Sequence, residues 1–147
     1  MNREIKFRAW STRDKLWCGA FSIHKSGLFS EMINAHIEEP QHIAIADAHW
    51  QDLSKENPDG IILMQFTGLK DKNGKEIYEG DVVRVGEFEN DSDSSIHQVK
   101  WFGEEGYPAF DLVKWGGEAN ALSEISQGDN FECEVIGNVY ENPELLK

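Results

Sequence analysis

The sequence predicts an all-β protein of short antiparallel strands, and three observations carry that expectation. Several segments alternate apolar and polar residues with the period of a half-buried strand. Turn formers punctuate the chain every dozen residues or so. The stretch from Leu63 to Val85, LMQFTGLKDKNGKEIYEGDVVRV, fits strand, turn, strand, turn and strand into a very short span.

The elements follow in order. Ile5, Phe7 and Ala9 project one way and Lys6, Arg8 and Trp10 the other, which predicts a strand with one buried face over residues 3–10. Ser11-Thr12-Arg13-Asp14 then turns the chain, and Leu16–Ile23 reads as the return strand of a hairpin. His24-Lys25-Ser26-Gly27 is a second turn, with Leu28-Phe29 opening a short strand. Glu31–Glu39 reads as a short helix stopped before Pro40, and His42–Trp50 as a strand. Asn57-Pro58-Asp59-Gly60 combines a proline-fixed φ with a glycine, so it places a boundary between a β-rich region, 1–57, and a second region, 58–147.

Ile61–Gln65 is β-branched and apolar. Asp71-Lys72-Asn73-Gly74 fits a type I turn with Gly at positive φ, while a two-residue Asn-Gly turn would shift the register by one. Tyr78-Glu79-Gly80-Asp81 turns into Val82–Val85. Further strands are expected at Ile96–Phe102, Tyr107–Val113 and Phe131–Tyr140, the last with Phe131, Cys133 and Val135 inward and Glu132 and Glu134 outward. Glu118–Ser126 fits a helical turn or a loop. About five strands in some 80 residues match a small SH3-like barrel, with the N-terminal β subdomain packed on it.

Composition bounds the function. The 147 residues carry 14 basic and 27 acidic side chains, a net charge of -13, which works against phosphate backbones and anionic lipid. No apolar h-region or membrane-length span is present, so a cytoplasmic protein is expected. A chain of this length buries roughly 70% of its unfolded surface without a staple. No disulfide between Cys18 and Cys133 is therefore expected, and no cofactor.

Three motifs resemble the YopX family of bacteriophage and prophage proteins: FRAW (Phe7–Trp10), QFTGLKDKNGKEIYEGDVV (Gln65–Val83) and EVIGNVYENPELL (Glu134–Leu146). The resemblance implies a β-rich fold with an SH3-like component and a place in the cytoplasm of an infected or lysogenic bacterium. It brings no catalytic residues, since the family has no established activity. The motif residues suit a scaffold, with Gly68, Gly74 and Gly80 at turns and Asp81 accepting backbone hydrogen bonds. The alternative is a shared binding surface around Asp81, Asn138 and Tyr140.

Nothing in the sequence is set out for chemistry. His24, His36, His42 and His49 lie near Asp47 and Asp52 but lack a metal-ligand spacing such as HExxH. Glu87, Glu89, Asp91 and Asp93 alternate, yet the glycine and glutamate of a calcium loop are missing. There is no GxSxG, P-loop or GxGxxG, so no catalytic residue and no metal ligand is assigned. Of five tryptophans, Trp115 stands before Gly116-Gly117. Within a loop at Tyr107–Gly128 it is either an exposed aromatic contact or a cap on the core. The acids Glu104, Glu105, Asp111 and Glu118 around it favour a basic partner. The expected function is a non-enzymatic accessory protein binding a host or phage protein, or a second copy of itself. The alternatives are a nucleic-acid-associated or DNA-mimicking regulator and an enzyme.

Overall fold

The structure is a computed structural model describing residues 6–12, 15–17, 20–24, 27–31, 43–44, 61–87, 90–128 and 131–147. The chain divides into two compact units, Met1–Phe66 and Thr67–Lys147. The expected break at 57–60 lies outside the described residues, as do His36, His42, His49 and all of the expected helix Glu31–Glu39 but Glu31, which ends a strand instead.

In the first unit, β1 (Lys6–Ser11) pairs antiparallel with β2 (Leu16–Trp17), β5 (Ile43–Ala44) and the start of β6 (Ile61–Lys70). The return strand expected over Leu16–Ile23 is split. Its first part pairs with β1, whereas β3 (Ala20–His24) forms a separate hairpin with β4 (Gly27–Glu31). The alternation along β1 does not translate into one wet face, because Phe7 through Ser11 are all buried. Trp17 supplies the second cover. Its ring meets Trp10 edge-on at 5.0 Å, and the Arg8 guanidinium lies 4.7 Å from its centroid.

The second unit is built on an antiparallel sheet ordered β10-β9-β8-β11: Phe110–Leu112, Asn90–Trp101, Asp81–Glu87 and Phe131–Asn138. The short β7 (Glu76–Tyr78), the hydrogen-bonded neighbour of β6, adds Ile77 to the core. The turn before β7 has the type I form: Gly74 N donates to Asp71 O at 2.9 Å, and Gly74 sits at φ +80°. Inward residues alternate as their strands require, with Val83 and Val85 on β8, Val99 on β9, and Cys133 and Val135 on β11. Register shifts between Val85 and Glu87 and between Val135 and Gly137 interrupt the ladders.

Residues 121–127 form helix α1. Ala121, Leu122 and Ile125 share one face of that helix and close the core, with Leu122 and Ile125 each contributing up to about 1.5–3 kcal/mol by burial. Gly128, in the left-handed region, ends it by donating its N–H to Ile125 O at 3.1 Å. The all-β expectation is met, with α1 the one α-helix among the described residues beside short 3-10 turns at Gly103–Glu105 and Pro143–Leu146.

Candidate functional site

Three aspartates of the second unit are buried, and each holds backbone. Asp71 Oδ1 accepts from Asn73 N and Lys75 N, both at 2.9 Å. Its other oxygen accepts from Val135 N at 3.0 Å, across 64 residues of chain. Lys72 N donates to Cys133 O beside it, so the turn also covers part of the outer edge of β11. Asp111, at 2% exposure, does the same for the helix. It accepts from Leu112 N and Leu122 N on one oxygen, and from Asn120 N and the Tyr107 hydroxyl on the other, at 2.6–3.0 Å. Asn120 itself makes no side-chain cap, so a carboxylate from β10 serves the start of α1.

Asp81 and Asn138, neighbours in the expected surface, are brought together but are 1% and 2% exposed. Asp81 accepts from Tyr78 N at 2.8 Å and from Asn138 Nδ2 at 3.4 Å. Asn138 Oδ1 accepts from Tyr140 N at 3.0 Å. These two side chains thus anchor the turns at one end of the sheet, and of the trio only Tyr140, at 39% exposure, presents itself to solvent. Burial, and then the charge of Glu79, raise the Tyr140 phenol above its ordinary pKa.

Trp115 stands apart from that group. It packs against the core, meeting His97 edge-on at 5.2 Å and Phe131 at 6.0 Å. His97 is held in turn by Val113 O at 3.0 Å and Ser95 Oγ at 2.7 Å. Asp111, expected among the acids facing a partner, points inward instead.

The aromatic residue that the loop reading overlooked is Trp101, the last residue of β9. It is 38% exposed and pairs edge-on with Phe110 at 5.0 Å. The hairpin beyond it is tightly made: a 3-10 turn at Gly103–Glu105, Gly106 in the left-handed region, and Phe102 N bonded to Ala109 O at 2.9 Å. Phe102 stacks on Tyr107 at 5.2 Å, and the Lys100 ammonium lies 5.7 Å from the Phe102 centroid while pairing with Glu105. The bond to Glu105 raises the pKa of Lys100 and lowers that of Glu105. In sequence, Trp101 shares parity with the buried His97 and Val99, so nothing marked it as reaching solvent.

The one described cysteine is not activated. Burial, with the charges of Asp71 and Asp81, pushes the free Cys133 thiol up to about 12, which holds it neutral. Among the described residues no group of three or more His, Cys, Asp or Glu side chains is placed to hold a metal ion, and no helix is long and apolar enough to cross a membrane. On the sheet face, Glu132 and Glu134 are met by Lys72 at 3.1 and 3.9 Å, and Glu134 by Arg84 at 2.9 Å.

One solved structure agrees with this architecture. Protein EF1440 from Enterococcus faecalis has a crystal structure similar to this chain, with a TM-score of 0.63 and 26% identity, covering 99% of this chain and 100% of that one. Protein yopX from Bacillus subtilis is 20% identical over 97% of this chain and 98% of its own, with a TM-score of 0.46. No curated protein matches. The YopX protein family model matches residues 6–147, spanning all three motifs singled out in the sequence, and this chain belongs to that family.

Proposed function

We propose that this chain is a phage- or prophage-encoded accessory protein that works in the bacterial cytoplasm by binding another protein. The observation that carries the reading is a division of labour in the second unit. Its buried acids Asp71, Asp81 and Asp111 each serve as hydrogen-bond acceptors for the scaffold, while Trp101 and Tyr140 stay exposed. Rigid aromatic side chains on a well-bonded scaffold suit protein recognition, where such residues dominate binding energy. Family membership supports the origin, and the bent four-stranded sheet with Ile77 in its core supports an SH3-like module. DNA mimicry is the weaker reading, because the sheet-face acids Glu132 and Glu134 are partly neutralised by Lys72 and Arg84.

The test is affinity capture from the bacterial host with the full chain as bait. A retained protein is then purified and titrated against the chain by calorimetry. A defined stoichiometry with a dissociation constant of about 10 µM or tighter supports the reading. Retention of nucleic acid alone, or turnover of a small molecule by the pure chain, overturns it.

A further inference from the structure

We propose that Asn73 is a site of spontaneous covalent modification, converted together with Gly74 through a cyclic imide to aspartate and isoaspartate. The turn built on Asp71 holds this reaction off for as long as it stays closed. The inference goes beyond what the chain binds and does not depend on it.

The sequence sets up the reaction. Asn73 is the one asparagine of the chain followed by glycine, and the residue after each of the others carries a side chain. An asparagine amide is attacked by the main-chain nitrogen of the next residue, and glycine leaves that approach unhindered. The Gly74 nitrogen gives up its proton and bonds to Asn73 Cγ, while the bond from Cγ to the side-chain nitrogen breaks. That nitrogen takes up a proton and leaves as ammonia, and a five-membered imide remains. Water then adds to one of the two imide carbonyls. Opening at Cγ gives aspartate. Opening at the main-chain carbonyl gives isoaspartate, whose backbone is longer by a methylene.

The structure supplies the restraint. Asn73 is exposed, so water and base reach its amide. Its neighbour is not free to react, because the Gly74 N–H that must lose its proton donates to Asp71 O at 2.9 Å. Asn73 is third in a type I turn, where ψ near about 0° directs the next nitrogen away from the side chain. The turn is closed from both sides: Asp71 N donates to Lys75 O at 2.8 Å, and Asp71 Oδ1 accepts from Asn73 N and Lys75 N. It is also docked on β11, through Val135 N to Asp71 Oδ2 and Lys72 N to Cys133 O. Reaction therefore proceeds from the opened turn. An isoaspartate places its extra methylene inside the span that these bonds close, so the turn cannot re-form and β11 loses its anchor. The mark is one-way.

The experiment ages the full chain in mildly alkaline buffer, with and without guanidinium. Deamidation is followed by peptide mass spectrometry, and isoaspartate on the residue-73 peptide by enzymatic methylation with labelled S-adenosylmethionine. In guanidinium the residue-73 peptide is expected to deamidate ahead of the peptides carrying the other asparagines. In the folded chain it should do so at least about tenfold more slowly. Asp71→Asn, left with a single side-chain acceptor oxygen, is expected to narrow that gap by about threefold or more. Asn73→Ser should end the reaction at this position, and its aged and fresh samples should melt together. Aged wild type carrying isoaspartate should melt below fresh wild type. Folded and unfolded rates within about twofold of each other, or no reaction at residue 73 in either state, overturn the inference. So does a folded Asp71→Asn chain with the wild-type rate, or an isoaspartate-bearing chain that melts with the fresh one. Should Asp71→Asn fail to fold, the folded and unfolded wild-type rates decide alone.

Discussion

Trp101 and Trp115 have nearly the same local setting and opposite fates. Each is followed two residues later by a glycine, and each lays its indole Nε1 edge along that glycine. A Cβ at Gly117 would stand 2.6 Å from Trp115 Nε1, and one at Gly103 would collide likewise with Trp101. The local motif therefore sets how the ring lies along its own turn. It does not set what covers the ring. Trp115 follows Lys114 at φ +59°, which breaks the chain away from β9 and folds the ring onto His97 and Phe131. Trp101 ends its strand where the sheet ends, with Phe110 as its one aromatic neighbour among the described residues. The difference teaches that a glycine-flanked aromatic is no evidence of exposure until its tertiary neighbours are known.

The comparison breaks first if Asp111 is removed. Asp111→Ala strips four donors of their acceptor and uncaps α1, so it should cost about 3–5 kcal/mol in chemical denaturation and unpack Trp115. A loss below about 1 kcal/mol would mean that the segment holding Trp115 does not depend on this carboxylate.

Trp115→Ala comes next. Its ring is half-buried against the core, and the expected loss is about 2–3 kcal/mol by thermal or denaturant unfolding. An unchanged melting temperature would return Trp115 to the list of exposed contacts.

Cys133 reports on the same seal. With its thiol pushed up to about 12, only about one molecule in ten thousand carries the thiolate near pH 8, so alkylation followed by peptide mass spectrometry should leave Cys133 unlabelled until guanidinium is added. Trp115→Ala should speed that labelling, and Trp101→Ala should not. The sign of the pH dependence follows from the raised pKa. The thiol's contribution is intact below the unfolded value near 9 and is lost as pH climbs toward 12, because the unfolded chain ionises first. The advantage of wild type over Cys133→Ala should shrink by roughly 1 kcal/mol per pH unit across that window.

The smallest expected effect is on Trp101. Trp101→Ala removes one edge-on aromatic pair and a partly exposed ring, so stability should fall by only about 1 kcal/mol while binding suffers more. A loss as large as that of Trp115 would place Trp101 in the core and end the contrast between the two rings.

Much of the scaffold was legible because its causes are local. The hairpin at Asp71–Gly74 follows from an acceptor at the first turn position and a residue free to take φ +80° at the last. The inward set on β11 follows from the pleat, with Cys133 and Val135 buried and the Glu132 and Glu134 carboxylates paired to cations. The motifs carried the family. The part that was misjudged depends on distant segments. Asp81 was legible as a turn acceptor, but its burial comes with Asn138, 57 residues on. Asp111 looked like one more surface acid, and only the return of the chain at Asn120 and Leu122 turned it inward.

The sequence by itself determined strand, turn and family, since alternation, turn chemistry and motif spacing are properties of neighbouring residues. Only the tertiary structure decided which acids became scaffold and which tryptophan stayed wet. Burial is a property of what packs on a residue, and in this chain those neighbours arrive from segments that no local pattern connects.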